Sequence, residues 1–164
     1  MRQFQGIILR GLLITIICGG IGLGVNTVWS TGLPWLYVPP TELAFADVKV
    51  PLVNEREAAR FLNDPETVFV DTRSEEDYRE RHVKSAVFLS PDNVEERFVA
   101  VQALIPEDRR LILYCYGPDC DMAEKVAQFL APMGYKNMMI MTSGFREWEK
   151  AGYPVEGQSE KGKP

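Results

Sequence analysis

The sequence has little cysteine, little histidine and no excess of positive charge. Its 164 residues include 3 Cys and 1 His, and the formal net charge is −5 at pH 7. Three cysteines are too few for a disulfide framework. The acidic balance leaves no basic stripe to neutralise phosphates, so nucleic acid is not expected as a partner. The chain also lacks metal-ligand clusters, glycine-rich phosphate loops and flavin motifs, so we expect neither a metal nor another cofactor.

One uncharged apolar segment, residues 11–29, predicts a transmembrane anchor. At about 1.5 Å per residue it nearly spans a hydrocarbon core of about 30 Å. A cleaved signal peptide is the alternative, although no small-residue cleavage site follows closely. Arg2 and Arg10 precede the segment, and no Lys or Arg follows it until Lys49. The positive-inside rule therefore predicts that residues 1–10 are cytoplasmic and that the rest lies on the outer, in a bacterium periplasmic, side.

The glycines of the apolar segment and the residues that follow it allow weaker predictions. Gly20 and Gly24 have the GxxxG spacing that can pack two membrane helices into a dimer, but glycine merely tolerated in such a helix is an equal alternative. Residues 30–46 contain several prolines and are predicted to be a semi-rigid linker. Residues 158–164 are predicted to be a polar tail.

Residues 47–157 alternate between strand and helix patterns, which indicates a layered α/β domain. Near-continuous apolar runs predict strands buried on both faces, as in a parallel sheet. These runs are residues 67–71, 86–89, 111–115 and 137–141, and residues 48–52 could add a fifth strand at the edge. Helices are predicted after capping-box-like starts at Asn54 and Asp121 and over residues 93–104 and 143–151.

The most informative stretch is the loop that follows the strand 111–115. It reads Cys115, Tyr116, Gly117, Pro118, Asp119, Cys120, and a helix is predicted to begin at Asp121. Cys115 is therefore expected at the carboxyl end of a central strand, where open α/β sheets bind their ligands. Unpaired N–H groups at a helix N-terminus favour an anion. We therefore expect a lowered pKa for the Cys115 thiol and a nucleophilic thiolate.

Four segments in matching order and spacing resemble the rhodanese family over about residues 48–157. They are residues 68–73 with Asp71-Thr72-Arg73, residues 76–86, the strand 111–115, and residues 134–155 with Gly144-Phe145-Arg146-Glu147-Trp148. The resemblance implies a three-layer domain with a central parallel five-stranded sheet. It also implies a sulfurtransferase that carries sulfane sulfur as a persulfide on Cys115, and the predicted anchor at residues 11–29 would hold it at a membrane.

In this family the backbone amides of the cradle, here residues 115–120, hold the persulfide. Asp71 and Arg73 match supporting positions. The implied partners are a sulfane-sulfur donor and a thiol acceptor, which a membrane or periplasmic protein could provide. Family members active on thiosulfate usually carry Lys or Arg in the cradle, whereas this one has Asp119 and no cation. Polysulfide or a protein persulfide is therefore the expected donor, because thiosulfate would lack a charge-assisted bond.

Two further functions remain open. Cys120 is either a chance cysteine or a resolving thiol, and in the second case the pair could be a thiol–disulfide redox module with a reversible disulfide. A non-catalytic module that docks a membrane partner needs neither cysteine. The only histidine, His82, is expected to be structural, and without a second histidine a Cys–His hydrolase has little to work with.

Overall fold

The computed structural model describes residues 2–28 and 40–157. It divides into two compact units with a boundary after Pro39. The predicted tail, residues 158–164, and most of the predicted linker lie outside the described residues.

The first unit is one long apolar helix, α1 (Arg2–Val28). Its segment Gly6–Val25 has a mean hydropathy of 2.1, and these residues are exposed. By length and composition this helix could cross a membrane, although a signal sequence meets the same criteria. The helix begins well before the predicted boundary at residue 11, so Arg10 is helical. Cys18 is an exposed free thiol on it.

The second unit is built on a six-stranded sheet rather than the predicted five-stranded one. Its strands are β1 (Glu42–Phe45), β2 (Val48–Val53), β3 (Thr67–Asp71), β5 (Val87–Phe88), β6 (Arg110–Tyr114) and β7 (Met138–Met141). Their spatial order is β1-β2-β7-β6-β3-β5. All pairs are parallel except β1 with β2, which form an antiparallel hairpin.

The hairpin corrects two sequence expectations. Strand β1 lies inside residues 30–46, which were assigned to the linker, so the folded domain begins before residue 47. β2 is consequently not an edge strand, because β1 covers its outer side and β7 its inner side. A two-residue turn at Ala46 and Asp47 joins the strands, and Ala46 has φ +50°. That conformation usually selects Gly or Asn, so the turn was hidden from sequence patterns.

Helices cover both faces of the sheet, as the apolar runs predicted. They are α2 (Glu55–Ala59), α3 (Glu75–Glu80), α4 (Val94–Val101), α5 (Met122–Leu130) and α6 (Gly144–Lys150). Alternate β6 residues point to opposite faces: Leu111 and Leu113 pack in a cluster with α5, whereas Ile112 and Tyr114 pack in a second cluster with α6. A short antiparallel pair, β4 (His82–Val83) and β8 (Val155–Glu156), lies outside the main sheet.

The two predicted capping boxes have different outcomes. Asn54 caps α2 as expected, because its side chain accepts from the Glu57 N–H and the Glu57 carboxylate accepts from the Asn54 N–H. Asp121 precedes α5, but its side chain makes no capping hydrogen bond. Its carboxylate instead pairs with Lys125 one turn later, at 2.9 Å. The prediction of a capping box at Asp121 was therefore wrong, although the helix begins where expected.

Candidate active site

Cys115 follows β6 directly, at the carboxyl end of the parallel sheet. The neighbouring strands end level with it, since Tyr114 is in register with Asp71 of β3 and Met141 of β7. The Cys115 side chain is buried, with 3% of its surface exposed. This placement agrees with the sequence prediction of a cysteine at the ligand-binding edge of the sheet.

A disulfide bond joins Cys115 to Cys120. Their Cα atoms are 6.2 Å apart, within the range of about 4.4–6.8 Å that a disulfide requires. Inside the loop the Cys120 N–H donates to the Gly117 carbonyl at 3.2 Å, which closes the turn that brings the two cysteines together. Because Cys115 is bonded here, the expected lowering of its thiol pKa stays a prediction.

Helix α6 fixes the start of the loop through main-chain hydrogen bonds. The Phe145 N–H donates to the Cys115 carbonyl at 2.8 Å, and the Arg146 N–H donates to the Tyr116 carbonyl at 3.4 Å. The approach is so close that a Cβ atom on Gly144 would lie 2.4 Å from the Gly117 nitrogen. Gly144 also has φ +69°, a conformation that favours glycine. The glycine at this position is therefore what allows the helix to contact the loop.

The loop retains main-chain donors. The N–H groups of Tyr116, Gly117 and Asp119 donate to no acceptor within residues 40–157, and Pro118 has no N–H to offer. Unpaired backbone N–H groups on a tight loop can hold an anion. The loop therefore has the donors that a thiolate or persulfide anion needs.

Asp71 and Arg73 form a buried ion pair beneath the loop rather than lining it. Arg73 Nη2 lies 2.7 Å from Asp71 Oδ2, and both residues are almost fully buried. The Tyr114 hydroxyl donates to the same carboxylate at 2.7 Å and accepts from the Val83 N–H at 3.0 Å. Burial, followed by the charge of Asp71, raises the pKa of Tyr114 well above its ordinary value. The pair thus anchors the strand residue next to Cys115.

Tyr116 is anchored by a second polar cluster. Its hydroxyl donates to the Asp77 carboxylate, which also accepts from the Ser74 hydroxyl. These hydrogen bonds, from Ser74 first and then Tyr116, hold the pKa of Asp77 below its usual value. The Arg73 guanidinium lies 5.7 Å from the Tyr116 ring centroid and 3.9 Å from that of Phe145. The Tyr116 side chain therefore ties the loop to the rest of the domain.

A cavity of about 540 Å³ opens beside the loop. It is lined by Tyr116, Gly117, Pro118, Asp119, Cys120, Asp121, Met122, Ser143, Arg146 and Glu147, and not by the buried Cys115. The Ser143 hydroxyl is buried there and has no hydrogen-bond partner among the described residues. Cys120 is partly exposed, and of the two bonded cysteines it is the one that lines the cavity.

Arg146 is a cavity residue that the loop sequence could not reveal. None of the ion pairs formed within residues 40–157 involves it, whereas Glu147 pairs with Lys150 and Asp121 with Lys125. Arg146 and Asp119 are thus the charges that remain unpaired at the cavity. The helix that binds the loop supplies the cation that the loop lacks. In the sequence, the consecutive residues Gly144, Phe145 and Arg146 were the pattern that could have indicated this position.

His82 lies in β4 and has a structural contact. Its Nδ1 is 2.6 Å from the Tyr78 carbonyl oxygen, and its ring stacks on the Tyr78 ring with centroids 4.0 Å apart. It is not among the residues that line the cavity. In the part of the chain that the structure describes, no group of three or more His, Cys, Asp or Glu residues is placed to hold a metal ion.

The family of this chain is shown by a match to a family model, and the arrangement described above agrees with it. The model of the rhodanese-like domain matches residues 54–151, which is more than half of the chain. The chain belongs to the rhodanese-like domain family. Solved structures share the fold. The match to a protein from Bacillus halodurans has a TM-score of 0.57 at 24% sequence identity, and it covers 64% of this chain and 75% of the Bacillus chain. The rhodanese-like domain of an Anabaena protein has a TM-score of 0.55 at 18% identity, over 70% of this chain and 87% of its own.

Two kinds of curated protein are among the relatives of this rhodanese-like chain. Thiosulfate sulfurtransferase GlpE of Coxiella burnetii is 26% identical over 103 residues, which cover 63% of this chain and 90% of the relative. The tRNA uridine(34) hydroxylase of Hamiltonella defensa is 29% identical over 94 residues, covering 56% of this chain but 26% of the relative. The chain thus spans about a quarter of the length of the hydroxylases that it matches.

Proposed function

We propose that this protein is a sulfurtransferase that carries sulfane sulfur as a persulfide on Cys115. The observation that carries the proposal is the position of Cys115: it stands at the carboxyl end of β6 and opens a loop with unpaired N–H groups. The likeness to GlpE, whose domain is nearly the whole of that relative, also supports it.

The reaction has two steps. The Cys115 thiolate attacks the outer sulfur of the donor and forms Cys115–S–SH; a persulfide donor leaves as a thiolate, and a polysulfide leaves as a chain shortened by one sulfur or as hydrosulfide. An acceptor thiolate, or cyanide, then takes the outer sulfur and restores the Cys115 thiolate. The loop N–H groups stabilise the anionic sulfur in both states. The buried Asp71–Arg73 pair and the contacts of Phe145 and Arg146 keep the loop in position.

The donor is expected to be polysulfide or a persulfide rather than thiosulfate. Arg146 is one cation at the cavity, and Asp119 on the loop opposes it. A dianion such as thiosulfate therefore meets little net attraction, while a donor carrying one negative charge or none depends less on this balance. The comparison of the two donors at equal concentration is the test. Faster turnover of thiosulfate than of polysulfide would overturn this part of the proposal.

A thiol–disulfide redox module is the second candidate, and the bond between Cys115 and Cys120 favours it. Sulfur transfer needs only Cys115, redox exchange needs both cysteines, and a docking role needs neither. Turnover with polysulfide and cyanide should therefore be lost in Cys115→Ser and kept in Cys120→Ser. Loss of turnover in both variants would favour the redox module, and unchanged activity in Cys115→Ser would refute the sulfurtransferase.

We also propose that α1 anchors the domain on the outer face of a membrane. The apolar segment Gly6–Val25 supports an anchor, and the distribution of Lys and Arg around it supports export of the domain. The outer compartment would also allow the disulfide to persist. Protease added outside the cytoplasmic membrane of intact cells should digest the domain, and complete protection would contradict this placement.

A further inference from the structure

The two cysteines of the disulfide differ in burial, and one of them lines the cavity. Cys115 is buried, whereas Cys120 is partly exposed and lines the cavity wall. We propose that the oxidised protein takes up hydrosulfide through attack on the Cys120 sulfur, which converts the disulfide into a protein persulfide. This inference rests on the proposed function and names a sulfur source for it: free sulfide, with the disulfide as the oxidant.

Access and leaving-group chemistry select the same sulfur. Thiol–disulfide exchange requires the nucleophile to approach one sulfur while the other departs. A nucleophile in the cavity meets Cys120, so Cys115 is the sulfur that leaves. The departing Cys115 thiolate belongs to the same loop as the unpaired N–H groups of Tyr116 and Gly117. A stabilised thiolate is the better leaving group, which favours this direction of attack.

The polar groups of the cavity suit a small monoanion. Arg146 has no ion-pair partner within residues 40–157, and it lines the same cavity as Cys120. Asp119 also lines the cavity, and its negative charge repels a dianion more strongly than a monoanion. Hydrosulfide carries a single charge and needs no further cation.

The step is balanced without another reagent. HS⁻ forms a bond to the Cys120 sulfur as the Cys115–Cys120 bond breaks, giving Cys120–S–SH and the Cys115 thiolate. The incoming sulfur is oxidised to the sulfane level, and the disulfide accepts the two electrons. The Cys115 thiolate can then attack the outer sulfur, which moves it onto Cys115 and frees the Cys120 thiol. Attack on the inner sulfur instead reverses uptake and releases hydrosulfide.

Intact mass of the full-length chain in detergent tests the inference. The sample carries Cys18→Ser, so that the loop cysteines are its only thiols. After oxidation and a brief pulse of equimolar sodium sulfide, the protein should gain about 34 Da, the mass of one hydrogen sulfide, and yield one thiocyanate with cyanide. Alkylation during the pulse should label Cys115 as a thiol and Cys120 as a persulfide. Protein that gains no sulfur, or is merely reduced to two thiols, overturns the inference.

Controls separate this inference from the proposed function. Reduced protein and the Cys120→Ser variant have no disulfide, so sulfide alone should add nothing to either. Arg146→Gln should slow uptake by about two- to fivefold, the effect of one exposed charge, and Arg146→Lys should restore it. Reduced protein exposed to polysulfide should still gain one sulfur on Cys115. Failure of that last reaction would overturn the proposed function, whereas failure of sulfide uptake alone would overturn only this inference.

Discussion

Replacement of Gly144 by alanine should displace either the loop of residues 115–120 or helix α6, because the added methyl group has no space there. The new Cβ would lie 2.4 Å from the Gly117 nitrogen and 2.5 Å from the Tyr116 carbonyl carbon. Both contacts are with backbone, so the loop or α6 must move. The positive φ adds a strain of about 1–2 kcal/mol, and overpacking adds about 1–3 kcal/mol. The expected loss of folding free energy is therefore about 2–5 kcal/mol.

Gly152 provides the matched control. It has a similar positive φ of +76°, but a Cβ there would meet nothing within 4 Å. Gly152→Ala should therefore show the backbone strain alone, about 1–2 kcal/mol. Urea denaturation of both variants measures the difference, and sulfur transfer in the folded fraction measures displacement of the loop. Equal stability of the two variants, with full transfer activity in Gly144→Ala, would refute the close contact between α6 and the loop.

Three further changes probe the support of the site. Tyr114→Phe leaves a buried carboxylate of Asp71 without one donor, so stability should fall by about 1–3 kcal/mol in urea denaturation; an unchanged midpoint would contradict that role. Arg146→Gln should lower thiosulfate turnover more than polysulfide turnover, and equal losses would argue against an anion-binding role. The pKa of Asp77 is lowered, so its hydrogen bond with Tyr116 stabilises the fold above the unfolded-state pKa of about 3.9. This stabilisation is lost as the pH falls through the lower folded-state pKa of Asp77. The melting temperatures of wild type and Asp77→Asn should therefore converge in acid.

The strands that could be predicted are those whose side chains are buried on both faces. Residues 67–71 matched β3 (Thr67–Asp71) because an uninterrupted apolar run requires cover on each side. The edge strand β1 (Glu42–Phe45) was missed because it is only partly buried and its turn contains neither Gly nor Asn. Helix α3 (Glu75–Glu80) has no fully buried residue, so it has no apolar stripe to detect. Its Ser74 cap, with an acid three residues later, was the overlooked signal.

The site shows the same limit. Cys115 and its loop are consecutive residues after a buried strand, so their position at the sheet edge followed from local patterns. Asp71 likewise ends a recognisable strand, and Arg73 lies two residues after it. Arg146 reaches the cavity only because α6 hydrogen-bonds to the loop, and a contact between such distant segments has no local sequence pattern. The missing capping bond at Asp121 has a local cause instead, because Lys125, four residues later, pairs with the carboxylate.

The central claim is that Cys115 carries the transferred sulfur, and peptide mass analysis of the reduced full-length chain tests it directly. After a short exposure to polysulfide, Cys115 should gain about 32 Da, one sulfur atom, and cyanide should remove this sulfur completely. Cys120→Ser should give the same adduct. Unmodified Cys115, or a Cys115→Ser variant that releases as much thiocyanate as the unaltered protein, would show that Cys115 does not carry the sulfur.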